Sequence, residues 1–112
     1  MRRFLAFFLL LVGCSQGPED LAYISQARSL AAEWALVNEQ AAAGRLTGTY
    51  ADVMRQSIRE QLKTTSKSLI VPGSAYAQEI DSLLAQPDDS DPNALRAYAD
   101  RLKDIEDQLE SA

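Results

Sequence analysis

Cys14 is the residue of this chain with the most versatile chemistry, because a thiolate is a nucleophile and a metal ligand. It is the only cysteine in 112 residues, and the sequence contains no histidine. Without histidine the chain lacks the commonest general base and the commonest metal ligand of proteins. A single cysteine also has no partner for an intramolecular disulfide. These absences argue against an enzyme, and we expect none.

A Ser-Lys pair within residues 66–68 is the remaining candidate for nucleophilic catalysis. Such a nucleophile needs a buried, desolvated lysine and an oxyanion site. A run of threonine, serine and lysine close to Pro72 is more typical of a solvated loop.

The spacing of a calcium-binding loop is met at four positions, Asp89, Asp91, Asn93 and Asp100. Ala94 occupies the position that needs glycine, and Pro92 interrupts the loop. Asp91 followed by Pro92 is better explained as the start of a helix, with Asp91 as its N-cap. We therefore expect no metal site.

A charged segment and then an apolar segment precede Cys14. Arg2 and Arg3 are followed by an unbroken apolar run over residues 4–12, and Gly13 separates this run from the cysteine. This order is the layout of an export signal peptide. The run is too short for a transmembrane helix, which needs roughly 20 apolar residues.

The segment Leu11-Val12-Gly13-Cys14 resembles the lipobox of bacterial lipoprotein precursors, the substrates of signal peptidase II. In that family the chain is cut before the cysteine, and diacylglycerol is attached to its sulfur. The resemblance covers the first 14 residues. It implies a signal peptide over residues 1–13, a lipidated tether over 14–18 and a mature domain over 19–112. Covalent lipid on Cys14 is then the only attached group, with no other cofactor. The alternative is a secretory signal cut elsewhere, with Cys14 as an ordinary thiol.

The same resemblance implies a location. Family lipoproteins usually carry three acyl chains, and more than one chain is needed for stable anchoring. An aspartate directly after the cysteine often retains such proteins at the inner membrane, whereas this chain has Ser15. We therefore expect a lipid-anchored protein of the bacterial cell envelope, at the outer membrane and facing the periplasm.

Residues 14–112 have the length of one small domain, and their charge is acidic. The whole chain has a formal net charge of −5, and the balance is more negative without Arg2 and Arg3. The sequence also lacks a glycine-rich phosphate loop and interleaved basic and aromatic residues. We expect no nucleic-acid partner.

Apolar periodicity predicts an all-α domain, a small antiparallel bundle of three long helices plus one short helix. The first helix ends before Gly44 and has a stripe at alternating steps of four and three. The stripe consists of Tyr23, Ala27, Leu30, Trp34, Val37 and Ala41. We expect Trp34 to be a core residue; lining a ligand groove is the alternative.

A capping box at residues 49–52 predicts the start of the second helix, which has an apolar ridge at Met54, Ile58 and Leu62. We expect it to end between Ser66 and Val71. The short helix is predicted from Ser74 to Ala85. The last helix follows Asp91, with apolar positions at Leu95, Tyr98, Leu102, Ile105 and Leu109.

Charge is distributed unevenly over these helices. A basic row recurs every four residues on the second helix, at Arg55, Arg59, Lys63 and Lys67. An acidic row follows the last helix, at Asp100, Asp104 and Asp107. Either the rows face each other across the bundle or water and help to select helix neighbours, or the basic row binds an anionic partner. Candidate partners are phospholipid headgroups, lipopolysaccharide phosphates or an acidic protein helix.

Two classes of function fit these features. The first is a non-enzymatic interaction module, an adaptor or assembly factor that binds another envelope protein while its lipid holds it at the membrane. The second is a carrier of a small amphiphile or lipid in a groove between the helices. A carrier needs an open apolar cavity, whereas a module needs a surface on a solid bundle.

Overall fold

The computed structural model describes residues 19–111, which contain four α-helices and no strand. The helices are α1 (Leu21–Ala42), α2 (Gly48–Ser68), α3 (Ala75–Leu84) and α4 (Pro92–Glu110). The predicted all-α architecture of three long helices and one short helix is confirmed. Residues 1–18, with the predicted signal peptide, the tether and Cys14, lie outside the described residues, as does Ala112.

Helices α1 and α4 are antiparallel, as their side-chain contacts show. Arg28 near the start of α1 pairs with Glu106 near the end of α4. Glu39 near the end of α1 pairs with Arg96 near the start of α4. Within residues 19–111, α1 and α3 each contact the other three helices, whereas α2 and α4 do not contact each other. The pair formed by α1 and α3 therefore separates α2 from α4.

A broader face of α1 is buried than its apolar stripe predicts, because this helix packs on three others. The stripe is confirmed, with Ala27, Leu30, Trp34 and Val37 buried and Tyr23 and Ala41 partly buried. Buried positions outside the stripe are Ile24, Ala31, Ala35 and Asn38. The other helices contribute the buried side chains Ile58, Leu62, Ile80, Leu83, Leu95 and Leu102.

The start of α2 lies two residues earlier than predicted, and the capping box at residues 49–52 is wrong. Thr47 is the N-cap, and its hydroxyl accepts a hydrogen bond from the Tyr50 amide at 3.1 Å. An N-cap side chain makes this bond from a non-helical backbone, and Thr47 is extended, with φ −72° and ψ 157°. Thr49 is already inside the helix.

The end of α2 at Ser68 lies in the predicted interval, although its last turns have poor helix propensity. The hydroxyls of Thr64, Thr65 and Ser68 each donate to the carbonyl four residues earlier. Each hydroxyl thus has an acceptor inside the helix and does not compete for the backbone of a turn.

The predicted end of α1, the bounds of α3 and the start of α4 agree with the structure. Gly44 follows α1 with φ +77°, a left-handed conformation that favours glycine. Ser74 and Asp91 cap α3 and α4 through their side chains, and Pro92 is the first residue of α4. None of the helices within residues 19–111 is long and apolar enough to cross a membrane.

Candidate functional site

Trp34 lies in the core and is completely buried, with 0% exposure. Its indole Nε1 donates a hydrogen bond to the carbonyl oxygen of Asp88 at 3.0 Å, which satisfies the polar edge of the ring. The guanidinium of Arg59 lies over the ring, 4.8 Å from its centroid. The prediction of a core residue is confirmed, and the interpretation that Trp34 lines a groove is wrong.

Asn38 is a buried polar residue of α1 that holds the loop between α3 and α4. Its Nδ2 donates to the carbonyl oxygens of Asp88 and Ser90, at 3.0 and 2.8 Å. Its Oδ1 accepts a hydrogen bond from Nε of Arg55 at 2.8 Å. The donors and the acceptor of this amide therefore all have partners, as burial of a polar group requires.

Arg59 binds the end of α3 and the loop that follows. It donates to the carbonyl oxygens of Leu84, at 2.8 Å, and Gln86. Its Nε pairs with the carboxylate of Asp88 at 2.7 Å. The last carbonyls of a helix lack partners within it, and a cation is favourable there. We call the donors Trp34, Asn38 and Arg59 the carbonyl clamp.

The four residues of the predicted basic row do not share one environment. The side chains of Arg55 and Arg59 are only 14% and 24% exposed. Lys63 and Lys67 are exposed, and within residues 19–111 neither forms an ion pair. Residues four apart on a helix differ by about 400°, so the row turns by about 40° per step, from the packed side toward solvent. Binding of an anionic partner by this row stays a prediction.

The acidic row of α4 does not face the basic row of α2. The two helices have no contact within the described part of the chain, and Asp100, Asp104 and Asp107 are exposed. Asp107 pairs with Lys103 of its own helix at 3.4 Å. The interpretation in which the two rows face each other across the bundle is therefore wrong. The ion pairs that join α4 to α1 and α3 are Arg28–Glu106, Arg96–Glu39 and Arg101–Glu79.

Asp20 forms a site that the sequence did not predict. Asp20 is 1% exposed, and its carboxylate accepts hydrogen bonds from three groups. The amide of Ile70 lies 2.9 and 3.1 Å from its two oxygens, and the amide of Val71 lies at 3.2 Å. The hydroxyl of Tyr76 donates at 2.7 Å. We call Asp20 with these three donors the aspartate clamp; it ties the start of α1 to the loop between α2 and α3.

The donors of the aspartate clamp stabilise the charged form of Asp20. Burial raises the pKa of Asp20, but the hydrogen bonds from Tyr76, Ile70 and Val71 outweigh burial, so the pKa lies below its ordinary value of 3.8. Burial and the Asp20 charge both raise the pKa of Tyr76. The carboxylate is therefore charged and the phenol protonated at neutral pH, as the bond between them requires.

Local sequence carries little sign of the aspartate clamp. Asp20 precedes α1, where an aspartate ordinarily caps its own helix, yet its side chain makes no such bond. Its partners lie 50 to 56 positions along the chain. The one available signal is an aspartate before a helix, and that signal predicts an N-cap rather than a contact with a distant loop.

No protein-family model, curated protein or solved structure matches this chain. Its function is therefore inferred from its own residues.

The other candidates for chemistry have structural partners. Ser66 donates to the carboxylate of Asp81 at 3.1 Å, and Lys67 is exposed, so residues 66–68 lack the buried lysine that a nucleophile would need. Asp91 accepts a hydrogen bond from the Asn93 amide at 3.0 Å, as an N-cap. Within residues 19–111 no group of three or more acidic side chains is placed to hold a metal ion.

Proposed function

We propose that this chain is a lipid-anchored protein of the bacterial cell envelope, held at the outer membrane through Cys14 and facing the periplasm. Its helical domain acts as a non-enzymatic interaction module, an adaptor or assembly factor for another envelope protein. The observation that carries the proposal is the lipobox-like segment Leu11-Val12-Gly13-Cys14. Helix α1 begins at Leu21, seven residues after that cysteine.

The packing of the domain supports a module over a carrier. Large side chains from all four helices are completely buried, and Trp34 with its bound loop occupies the core. A carrier would need an open apolar cavity among these side chains. A solid bundle instead offers its surface to a partner. Lipid that co-purifies with the domain in native mass spectrometry would favour the carrier.

The anchor is tested by labelling cells that express the full chain with a palmitate analogue. We expect Cys14 to carry the label and the protein to fractionate with the outer membrane. Cys14→Ser removes the sulfur that accepts diacylglycerol, so the label is lost and the precursor stays uncleaved or soluble. Ser15→Ala is the matched control and keeps the label. Persistent labelling of the Cys14→Ser chain would refute lipidation.

The partner is tested by crosslinking intact envelopes and purifying the acylated chain. We expect an envelope protein to be captured in the acylated chain and to be reduced in the Cys14→Ser chain, because the anchor concentrates the domain at the membrane. Equal capture from both chains would show that partner binding does not depend on the lipid anchor.

A further inference from the structure

We propose that the loop between α2 and α3, together with Lys63 and Lys67, is a second membrane contact that docks on anionic phospholipid beside the lipid anchor. The proposal rests on the proposed lipidation of Cys14. It adds an orientation of the domain. The end of the bundle that carries this loop lies on the bilayer, and α2 is the helix that faces the lipid.

The loop exposes two apolar side chains at its tip. Ile70 and Val71 are 58% and 51% exposed. They are adjacent in sequence, and the next residues, Pro72 and Gly73, are also exposed. Branched apolar side chains at a loop tip are suited to the boundary between headgroups and acyl chains, where apolar burial drives binding.

The aspartate clamp allows this loop to move from water into the membrane interface with its amides still hydrogen-bonded. A backbone amide without a partner is costly in an apolar environment. The amides of Ile70 and Val71 already donate to Asp20, at 2.9 to 3.2 Å. Their side chains can therefore enter the interface without stranding the two N–H groups.

The same clamp places the loop close to the anchor. Asp20 is six residues after Cys14, which is at most about 22 Å of fully extended chain. Because the loop is hydrogen-bonded to Asp20, it stays within a similar reach of the acylated cysteine in any conformation of the tether. At this short range the anchor raises the effective concentration of lipid at the loop.

Charge determines which side of this end faces the lipid. Lys67 lies three residues before Ile70, and Lys63 lies one turn further back; both are exposed. Each lysine near an anionic surface strengthens binding by about fivefold. The α4 side of the same end is acidic, with exposed Asp104, Asp107 and Glu110 against one lysine, Lys103.

An anionic surface attracts the first side and repels the second. Glu19, beside the clamp, and Asp81, which accepts a hydrogen bond from Ser66 next to Lys67, are also exposed at this end. Their charges oppose binding but leave this side less negative than the α4 side. The balance therefore favours an orientation in which α2 faces the bilayer and α4 faces away from it.

The test uses the full chain, acylated in cells, purified and reconstituted into vesicles of phosphatidylethanolamine with phosphatidylglycerol. Since Cys14 is blocked by lipid, one introduced cysteine can carry an environment-sensitive fluorophore. The probe position is Val71→Cys. Gln108→Cys is the control on the acidic side of the same end, and Ala43→Cys is the control at the opposite end; both residues are exposed.

We expect shallow spin-labelled lipid to quench the fluorophore at position 71 several-fold more strongly than at positions 108 and 43. Lys63→Glu with Lys67→Glu should lower the quenching at position 71 severalfold, and so should replacement of phosphatidylglycerol by neutral lipid. Circular dichroism of the doubly substituted chain should be unchanged, because both lysines are exposed.

Flotation of the same samples with vesicles separates this proposal from the anchor. If the acylated chain floats and position 71 is quenched no more than position 43, the docking surface is wrong and the anchor stands. If the chain is not acylated and does not float, both proposals fail. Equal quenching at positions 71 and 108 would overturn the predicted orientation.

Discussion

The two clamps hold the two loops that flank α3, and they use opposite chemistry. At the loop before α3, one buried carboxylate, Asp20, accepts hydrogen bonds from two amides and a phenol. At the loop after α3, side-chain donors of Trp34, Asn38 and Arg59 bind carbonyl oxygens. In the aspartate clamp one side chain accepts hydrogen bonds from several donors. In the carbonyl clamp several side chains donate hydrogen bonds to backbone carbonyls.

The polarity of the short helix between the clamps accounts for part of this difference. A helix leaves N–H groups unpaired at its start and carbonyls unpaired at its end, with partial charges to match. Leu84, the last residue of α3, gives its carbonyl to the cationic Arg59. The anionic Asp20 binds Tyr76 in the first turn of α3. Arg59 thus has the charge that the end of α3 favours. Asp20 contacts α3 only through the hydroxyl of Tyr76, and Ser74 caps the start of the helix.

The clamps also differ in what surrounds them. Asp20 is almost fully buried, and its partners are held by a single residue. The carbonyl clamp shares its loop among three residues, one of which is an aromatic core side chain. Loss of Asp20 should therefore open one loop, whereas loss of Trp34 should affect the whole bundle.

Trp34→Ala has the largest expected effect. It removes the largest core side chain together with a hydrogen bond to the loop, which should lower the free energy of unfolding by roughly 3 to 5 kcal/mol. Trp34→Phe keeps most of the volume and loses the N–H, for about 1 to 3 kcal/mol. Urea denaturation followed by circular dichroism measures both. A loss below about 1 kcal/mol for Trp34→Ala would contradict the core assignment.

Asp20→Ala should be the next most costly change. It leaves two amides and the Tyr76 hydroxyl without their acceptor, so we expect a loss of about 2 to 4 kcal/mol. Hydrogen exchange should accelerate first at the amides of Ile70 and Val71, because the opening is local. Tyr76→Phe is the control and should cost about 1 kcal/mol.

A double-mutant cycle separates the clamp from its parts. Asp20→Ala combined with Tyr76→Phe should cost less than the sum of the two changes, since both break the same hydrogen bond. Additive costs would show that the two residues act independently and would remove Tyr76 from the clamp.

The sequence predicted the helices well because their signals are local. The caps at Ser74 and Asp91 and the stop at Gly44 act within a few residues. The α1 stripe was also correct, although its width depends on how many helices pack against it. Thr47 was missed because Thr49 offers the same chemistry two positions later, and only the backbone conformation distinguishes them.

The clamps could not be predicted in the same way, because their residues pair across 25 to 56 positions of the chain. No short pattern announces that Asp20 binds a loop rather than its own helix, or that Asn38 is buried. The division of the basic row is a different case. A spacing of four residues turns about 40° per step, so the separation of Arg55 from Lys67 was already implied by the helical period.

Acid titration gives the smallest effect and tests the charge of the aspartate clamp directly. The pKa of Asp20 is lower in the folded protein than its ordinary value of 3.8. Its ionisation therefore contributes stability that is present above the pKa of the unfolded state and is lost as the pH falls through the pKa of the folded state.

The Asp20→Asn variant tests this contribution, because asparagine has a similar size and no charge. The stability difference between the two proteins should be constant near neutral pH and shrink once the pH falls below 3.8. Urea denaturation at a series of pH values measures this difference, and the other carboxylates cancel because both proteins contain them. A difference that stays constant through the acid range would mean that the clamp holds its donors without using the charge of Asp20.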